Sequence, residues 1–246
     1  MELIERLSER LRVIALEVEA GAVLADIGTD HAQLPEALVQ AGIIQSAVAS
    51  DVNAGPFQTA LRNIESSGLS RQISVRHGSG LEPLRQEDHI STVTIAGMGG
   101  SLIKSILDEG NDKLNGVNTL ILQANVAADL LREWLYAQGW QIVKEKLVRD
   151  ADHFYEVIVA KRGHKEAPYH HTGLGFEEEM MFGPLLLHQG GEAFIAKWEG
   201  EYEHLTRVKG QIAIANHQDQ QADSAYGRID QQLKRIKEAL AYVKSR

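Results

Sequence analysis

Short apolar runs alternate with amphipathic segments over the first two thirds of the chain. The apolar runs have the length of buried strands, and the amphipathic segments repeat their apolar residues at helical spacing. The predicted strands are 22–27, 46–51, 73–77, 91–96 and 118–123. The predicted helices are 2–18, 34–42, 54–67, 100–109 and 127–138. This alternation predicts an α/β fold, with a parallel sheet covered by helices on both faces.

Two further extended stretches close this α/β region. Residues 140–149 and 154–161 are separated only by a short polar segment around Ala151, which predicts an antiparallel hairpin at the end of the sheet. The composition changes after Gly163. We therefore expect a Rossmann-like domain over residues 1–163 and a second domain over 164–246.

The second domain begins with a segment of weak periodicity, 164–190, that is rich in His, Gly and Pro. Apolar residues then recur at spacings of three and four from Phe194 to Ala215 and again from Tyr226 to Val243. Two such helices, joined by the polar segment 216–224, predict an antiparallel coiled-coil hairpin about 30 Å long. Such a hairpin can bury its own apolar stripe or pair with a second copy, so we expect a monomer or a weak homodimer.

Composition narrows the function classes. The 246 residues are 43% hydrophobic, enough for a sizeable core, and the absence of cysteine excludes disulfides and thiolate chemistry. No N-terminal apolar segment resembles a signal peptide, and no run approaches the roughly 18 apolar residues of a membrane span. We therefore expect a cytoplasmic protein without a membrane partner. Surface exposure explains the histidines near His170 better than a metal site does, so no metal is expected.

The net charge of −9 argues against broad affinity for polyanions. Local basic clusters could still contact a nucleic acid or could be solvated helix faces. They are Arg6, Arg10 and Arg12, then Lys161, Arg162 and Lys165, and finally Lys234, Arg235 and Lys237.

Candidate chemistry begins at the end of the first predicted strand, in the segment Asp26-Ile27-Gly28-Thr29-Asp30-His31. A strand, a tight turn and a helix in this order place the turn at the carboxyl edge of the sheet, where α/β proteins bind ligands. Gly28 can adopt backbone angles closed to other residues and leaves room for a ligand.

The ends of three more predicted strands also carry residues that suit a ligand site. Asp51, followed by Val52, lies about 20 residues beyond the glycine turn, where an acid either accepts hydrogen bonds from a ribose or caps the next helix. The Ser79-Gly80-Leu81 loop follows the third strand, and Ala96-Gly97-Met98 opens a glycine-lined groove after the fourth. Together these ends favour an adenosine-bearing cofactor across the sheet edge.

The cofactor is not expected to carry phosphate. The turn lacks the G-x-G-x-x-G pattern of dinucleotide-binding enzymes, and the segment from Gly97 to Lys104 lacks the ending of a Walker A loop. Asp30 would repel a pyrophosphate and attract an amino group. S-adenosyl-L-methionine has an ammonium and a sulfonium and no phosphate, so the pattern favours this cofactor, with S-adenosyl-L-homocysteine as the product.

The motifs Asp26-Ile-Gly-Thr-Asp30-His31 and Gly97-Met-Gly-Gly100, with Gly55-Pro56 and Gln123-x-Asn125, resemble those of the bacterial tRNA (adenine(22)-N1)-methyltransferase family. The resemblance runs from Leu7 to the C-terminal hairpin. It implies a class I methyltransferase fold, a C-terminal coiled coil, and methylation of adenine N1 at position 22 in the D-arm region of tRNA. Two departures stand out. Ala124 replaces the proline that is more frequent in the family, and Ser79 lies where class I enzymes commonly have Asp.

The resemblance also implies roles for individual residues. Asp26, Gly28, Asp30 and His31 would surround the methionine moiety, and the other cofactor-binding residues would be Asp51, Val52, Ser79, Gly80, Leu81, Ala96, Gly97 and Met98. Asp30, Met98 and Asn125 would act at the point of methyl transfer. Plainer alternatives are a local hydrogen bond for His31, packing for Met98 and a helix cap for Asn125.

Two other functions remain open at this stage. A non-catalytic RNA-binding or scaffold protein could keep the sheet and use the long helical hairpin to hold a partner. A methyltransferase for a small molecule or a protein would fit the net acidity.

Overall fold

The computed structural model describes residues 3–151, 153–215 and 220–246. Residue contacts divide the chain into two compact units, one ending at Pro168 and the other running from Tyr169 to Arg246. The domain boundary expected from composition, after Gly163, lies a few residues earlier.

The first unit contains, within the described residues, a seven-stranded sheet of order β3-β2-β1-β4-β5-β7-β6. The strands are β1 Val23–Ile27, β2 Ser46–Asp51, β3 Ile73–His77, β4 Thr92–Met98, β5 Thr119–Ala124, β6 Trp140–Asp150 and β7 His153–Arg162. Strands β1 to β5 pair in parallel, and β7 pairs antiparallel with both β5 and β6. The predicted parallel sheet and its antiparallel terminal hairpin are confirmed.

The helices of this unit are α1 Glu9–Glu17, α2 Gln33–Gln40, α3 Ala54–Ser66, α4 Gly100–Glu109 and α5 Asp129–Ala137. The predicted continuous helix over 2–18 is wrong. Ile4–Arg6 form a separate 3₁₀ turn, and α1 starts at Glu9 because the Ser8 hydroxyl accepts a hydrogen bond from the Leu11 amide at 3.3 Å. Serine is among the strongest helix N-caps, so it starts a new helix inside an otherwise periodic stretch.

The strand order creates the ligand-binding edge. The chain moves outward from β1 through β2 to β3 and then returns to β4 on the other side of β1. The carboxyl ends of β1 and β4 therefore lie side by side at the point where the strand order reverses. In open α/β sheets this crevice is the usual place for a ligand.

A buried ionic cluster joins the terminal hairpin to its covering helix. Arg132 on α5 donates from Nε to Glu145 on β6 at 2.6 Å and from Nη2 to Glu156 on β7. All three side chains are buried. Burial alone would lower the pKa of Arg132, but the two carboxylates outweigh it and raise the pKa.

Replacement of Arg132 by Met should cost much of the stability of this unit. The variant leaves two carboxylates buried without their cation, and removal of one partner from a buried pair typically costs about 3–5 kcal/mol. Chemical denaturation at neutral pH measures the loss. Arg12→Met is the matched control, because Arg12 pairs with Glu9 on an exposed helix face. If Arg132→Met lowers the free energy of unfolding no more than Arg12→Met does, the buried ionic cluster does not stabilise this unit.

The regular structure of the second unit, in residues 169–215 and 220–246, is helical. It contains α6 Phe176–Phe182, α7 Pro184–Gln189, α8 Glu192–Ala215 and α9 Gln220–Lys244. The sequence did not predict α6 and α7, because helices of one to two turns carry too little periodicity to be recognised. The two long helices were predicted, although α9 already includes residues 220–224 of the expected polar loop; residues 216–219 lie outside the described residues.

Helices α8 and α9 run antiparallel. Lys244 pairs with Glu199 at 2.6 Å, and Lys209 pairs with Asp230. Among the side chains that the structure describes, burial is concentrated at one end, where the rings of Phe182 and Trp198 meet edge to face at 4.6 Å. Toward the other end, Tyr202 and Tyr226 are exposed. The helical hairpin is therefore observed, whereas coiled-coil packing along its whole length stays a prediction.

Among the described residues, no helix combines the length and the apolar character needed to cross a membrane.

Candidate active site

A cavity of about 370 Å³ opens at the carboxyl edge of the sheet, beside the ends of β1, β2 and β4. Ligand sites typically have volumes of about 300–1,000 Å³. Eight predicted site residues line it: Asp26, Gly28, Asp30, Asp51, Val52, Ala96, Gly97 and Met98. Larger surface depressions flank residues 82–90, but none of the predicted site residues lines them.

Asp26 holds the first turn in place. Its carboxylate is buried and accepts hydrogen bonds from the hydroxyls of Thr29 and Thr94, each at 2.6 Å. Burial raises the pKa of Asp26, and the two hydroxyls only partly offset that rise. Since both of its oxygens are already engaged, Asp26 fixes the turn more directly than it can hold a ligand.

The turn itself is bound to the neighbouring strand. Gly28 has a φ of +68°, as its predicted role requires, and the amides of Gly28 and Thr29 both donate to the Ser50 carbonyl at 2.8 and 2.9 Å. Asp30 follows with its side chain 61% exposed, at 3.3 Å from the Nε2 of His31. The turn therefore presents a solvated carboxylate to the cavity.

Asp51 is buried at the end of β2 and uses one oxygen locally. Its Oδ1 accepts the Asn53 amide at 2.8 Å, and within the described residues its Oδ2 accepts no hydrogen bond. The N-cap residue of α3 is Asn53, and Asp51 accepts its backbone N–H, so one oxygen of Asp51 helps to hold the start of that helix, as the helix-cap alternative expects. The remaining carboxylate oxygen is available to a ligand.

A β-bulge at Gly97 forms the wall between β4 and β5. The register shifts there, since Ala96 pairs with Gln123 and Met98 with Ala124, which leaves Gly97 as the extra residue with a φ of +79°. A bulge leaves backbone groups without ladder partners. Two side-chain amides replace those partners: Gln123 Oε1 accepts the Gly97 N–H at 2.9 Å, and Asn125 Nδ2 donates to the Gly97 carbonyl at 2.9 Å.

Met98 follows the bulge on β4, and Asn125 comes directly after the end of β5. The Cε of Met98 lies 2.0 Å from where a Cβ on Gly28 would be, so Met98 both packs on the turn and lines the cavity. Asn125 also donates its backbone N–H to the Met98 carbonyl at 2.8 Å. The N-cap of α5 is Ala128, so the alternative of a helix cap for Asn125 is wrong.

Five predicted site residues do not line the cavity. They are His31, Ser79, Gly80, Leu81 and Asn125. Ser79 is exposed, whereas the Leu81 side chain is buried against Gly110. The Nδ1 of His31 is buried without a hydrogen-bond partner among the described residues. The assignment of the Ser79 loop to an adenine ring stays a prediction.

The structure adds lining residues that the sequence reasoning did not assign to the site: Arg10, Leu11, Leu34, Asn53 and Leu102. Arg10 was recognised only as part of a basic helix face. Leu102 and Val52 are more than half exposed at the cavity, which gives it an apolar rim. In the described part of the chain, no cluster of His, Asp and Glu is arranged to hold a metal ion.

The strand order and the acid-lined cavity at its switch point define a class I, Rossmann-like methyltransferase fold. The family model for tRNA (adenine(22)-N(1))-methyltransferase, TrmK, matches residues 24–238. The chain is 40% identical to the Bacillus subtilis tRNA (adenine(22)-N(1))-methyltransferase over 87% of its own length and 89% of that protein. It belongs to the tRNA (adenine(22)-N(1))-methyltransferase family.

Solved structures agree with this assignment. The crystal structure of the Bacillus subtilis enzyme superimposes with a TM-score of 0.89 at 38% identity, covering 96% of this chain and 99% of that one. A Streptococcus pneumoniae structure in complex with S-adenosyl-L-methionine gives a TM-score of 0.83 at 38% identity, with coverages of 95% and 99%. Mycoplasma capricolum TrmK in complex with S-adenosyl-homocysteine gives 0.82 at 30% identity, with coverages of 96% and 99%.

The raised pKa of Asp26 predicts a pH-dependent contribution to stability. A carboxyl whose pKa is higher in the folded protein than in the unfolded chain stabilises the fold fully below its ordinary value of 3.8, and this contribution is lost as the pH rises through the folded pKa. The wild type should therefore gain stability relative to Asp26→Asn as the pH falls. Urea denaturation of both proteins across this range measures the difference. A constant difference, or one of opposite slope, would contradict the burial argument.

Proposed function

We propose that this chain transfers a methyl group from S-adenosyl-L-methionine to N1 of adenine 22 in the D-arm region of tRNA. The observation that carries the proposal is the cavity at the β1–β4 switch point, whose acids and glycine bulge lie within the residues 24–238 that the family model matches. The name of the Bacillus subtilis relative specifies the base, its position and the ring nitrogen.

The residues at the cavity suit this cofactor. S-adenosyl-L-methionine has an ammonium group and a ribose and no phosphate. The solvated carboxylate of Asp30 can pair with the ammonium, and the unengaged oxygen of Asp51 can accept a ribose hydroxyl. The Gly97 bulge and Met98 would border the sulfur, with Val52 and Ala96 completing the wall. Asp26, Gly28 and His31 complete the proposed set at the methionine moiety. Ser79, Gly80 and Leu81 complete it at the adenine.

When bound, S-adenosyl-L-methionine supplies the methyl group, and S-adenosyl-L-homocysteine remains. Neutral adenine carries an in-plane lone pair on N1, so no side chain has to remove a proton before attack. The contribution of the protein is then mainly to hold N1 in line with the methyl carbon. We assign Met98 and Asn125 to that positioning. We assign Asp30 to stabilising the positive charge that develops on the adenine ring.

The proposed partner is tRNA. A base in a folded tRNA must leave its stack to reach such a cavity, at a cost of a few kcal/mol. Contacts to the tRNA phosphates would offset this cost. Our candidates for these contacts are the basic clusters named in the sequence analysis. We further propose that the protein acts in the cytoplasm as a monomer or a weak homodimer.

Nucleoside mass spectrometry tests the activity. Unmodified tRNA with adenine at position 22 is incubated with the protein and S-adenosyl-L-methionine, and a transcript with guanine at that position is the matched control. We expect 1-methyladenosine in the first transcript only. Binding of tRNA without methyl transfer would instead favour a non-catalytic RNA-binding protein, and a labelled methyl group found outside RNA would favour a different substrate class.

Asp51→Asn tests the ribose assignment with little disturbance of the fold. The amide oxygen can still accept the Asn53 N–H, while the amide nitrogen replaces the oxygen that would accept a ribose hydroxyl. Loss of a hydrogen bond to a charged group weakens affinity for S-adenosyl-L-methionine by roughly tenfold or more. Isothermal titration calorimetry measures this change, with the surface variant Asp112→Asn as the control. Unchanged affinity would remove Asp51 from the cofactor site.

A further inference from the structure

Exposed apolar side chains are concentrated at the carboxyl edge of the sheet. Among the described residues, six large hydrophobic side chains are exposed, and three of them lie on segments that follow strand ends at this edge: Val52, Leu102 and Val126. Val52 and Leu102 line the cavity, and Val126, which comes directly after Asn125, is 69% exposed. Because an apolar side chain gains free energy when it leaves water, a concentration of exposed ones beside a ligand site marks a contact surface for a ligand.

Leu102 and Val126 adjoin the same point, the start of α4. A Cβ on Gly99 would lie 3.6 Å from Cγ2 of Val126, so the Val126 side chain lies against Gly99. Gly99 is the N-cap residue of α4, and its carbonyl accepts the Leu102 N–H at 3.0 Å, which places Leu102 on the first turn of that helix. We call the side chains of Leu102 and Val126 the apolar platform.

The backbone holds Val126 in its exposed position. Gly100 donates its N–H to the Val126 carbonyl at 2.8 Å, and Ala127 has a φ of +56°, a left-handed conformation that is strained for a residue with a side chain. A Cβ on Gly100 would lie 1.9 Å from the Ala127 carbonyl oxygen, so the close approach of the two segments requires glycine. This strained backbone presents Val126 to solvent without burying it, and strain of this kind is found mainly at functional sites.

The apolar platform suits a flat, neutral ring better than it suits a phosphate. Its two side chains carry no charge, and three of the four charged side chains that line the adjoining cavity are carboxylates, which would repel a phosphate. A nucleobase that leaves its stack exposes two faces that need new contacts. The proposed function places the reacting base beside Met98 and Asn125, and these residues directly precede Gly99 and Val126. The platform is therefore continuous with the point of methyl transfer.

Asn125 alone cannot hold that ring. Its Oδ1 accepts a hydrogen bond from Gln123 Nε2 at 3.0 Å, and its Nδ2 donates to the Gly97 carbonyl at 2.9 Å. The amide therefore keeps one further N–H donor and one oxygen lone pair for a ligand within the described residues. Such groups bind the edge of a base. The face of the base needs an apolar partner, and the platform adjoins Asn125.

We propose that the side chains of Leu102 and Val126 form the surface on which the extruded adenine ring packs during methyl transfer. The inference rests on the proposed function, in which this base reacts at the cavity. The platform replaces part of the stacking that the base loses when it leaves the tRNA. It also restricts the ring to one plane, so that N1 stays in line with the methyl carbon.

Steady-state kinetics with two tRNA transcripts isolate the contribution of the base. One transcript has adenine at position 22, and the other has an abasic ribose there and acts as a competitive inhibitor. The variant combines Leu102→Asn with Val126→Thr, which keeps the approximate shapes of both side chains and makes them polar. At saturating S-adenosyl-L-methionine, its kcat/KM for the adenine transcript should fall roughly tenfold, the scale of one base-stacking contact. Its Ki for the abasic transcript should stay within about twofold of the wild-type value, because no ring is present to contact the platform.

Matched variants separate the outcomes. Leu16→Asn, which alters an exposed leucine outside the cavity lining, should leave both values unchanged. Leu102→Met, which keeps an apolar side chain, should lose far less activity than Leu102→Asn. An unchanged kcat/KM in the double variant overturns the inference. A Ki that rises as much as kcat/KM falls also overturns it, because the two side chains then contact the tRNA away from the base.

The proposed function fails separately, if the wild type transfers no methyl group to RNA. Thermal unfolding verifies that each variant is folded. If the double variant is not, Val126→Thr alone takes its place, because its side chain is exposed and the substitution removes no core packing. The expected loss in kcat/KM for the adenine transcript is then roughly threefold, about half of the free energy of the full contact.

Discussion

The β-bulge at Gly97 is the constraint on which the site depends. One extra residue in β4 breaks the ladder with β5 and leaves an amide and a carbonyl that need partners at the wall of the cavity. Gln123 on β5 and Asn125, directly after the end of β5, supply those partners. The buried Gln123 accepts the Gly97 N–H at Oε1 and donates to Asn125 from Nε2, and these two of its three side-chain hydrogen bonds fix which end of the amide faces Gly97 and which faces Asn125. The backbone of the bulge thereby forms the wall of the cavity, and its N–H and carbonyl groups fix the positions of the Gln123 and Asn125 side chains.

Environment gives the three carboxylates of the cavity different tasks. Asp26 is buried under two hydroxyl donors, so it is used within the fold and its pKa is raised. Asp51 divides its two oxygens between the Asn53 amide and the cavity. Asp30 is largely exposed, so it is the acid that a ligand can reach at the least cost of desolvation. The sequence shows three similar residues, and burial separates them.

Features that depend on residues close together in the sequence could be predicted, whereas features that depend on contacts between distant residues could not. Local sequence patterns predict strands β1 to β5 and the turn at Gly28, and the strand bounds in the structure agree closely with these predictions. Arg10 could not be assigned, because its partner Gln123 is 113 positions away and nothing in the local sequence distinguishes Arg10 from Arg12. The break at Ser8 was missed since a helical stripe continued across it. Coiled-coil packing over the length of α8 and α9 rests on periodicity, and the described side chains of that hairpin are buried mainly at one end.

Ala124 shows how the same loop can be held by different means. The proline that the resemblance implies at this position would restrict the chain leading into the β5–α5 connection. Here the restriction comes from hydrogen bonds to the bulge and to the start of α4: Asn125 N–H to the Met98 carbonyl, Asn125 Nδ2 to the Gly97 carbonyl, and Gly100 N–H to the Val126 carbonyl. Each bond joins the segment after β5 to the end of β4 or the start of α4, at the carboxyl edge of the sheet. Asn125 is therefore held in position without a proline at residue 124. The three hydrogen bonds to β4 and α4 restrict the loop in place of the proline ring.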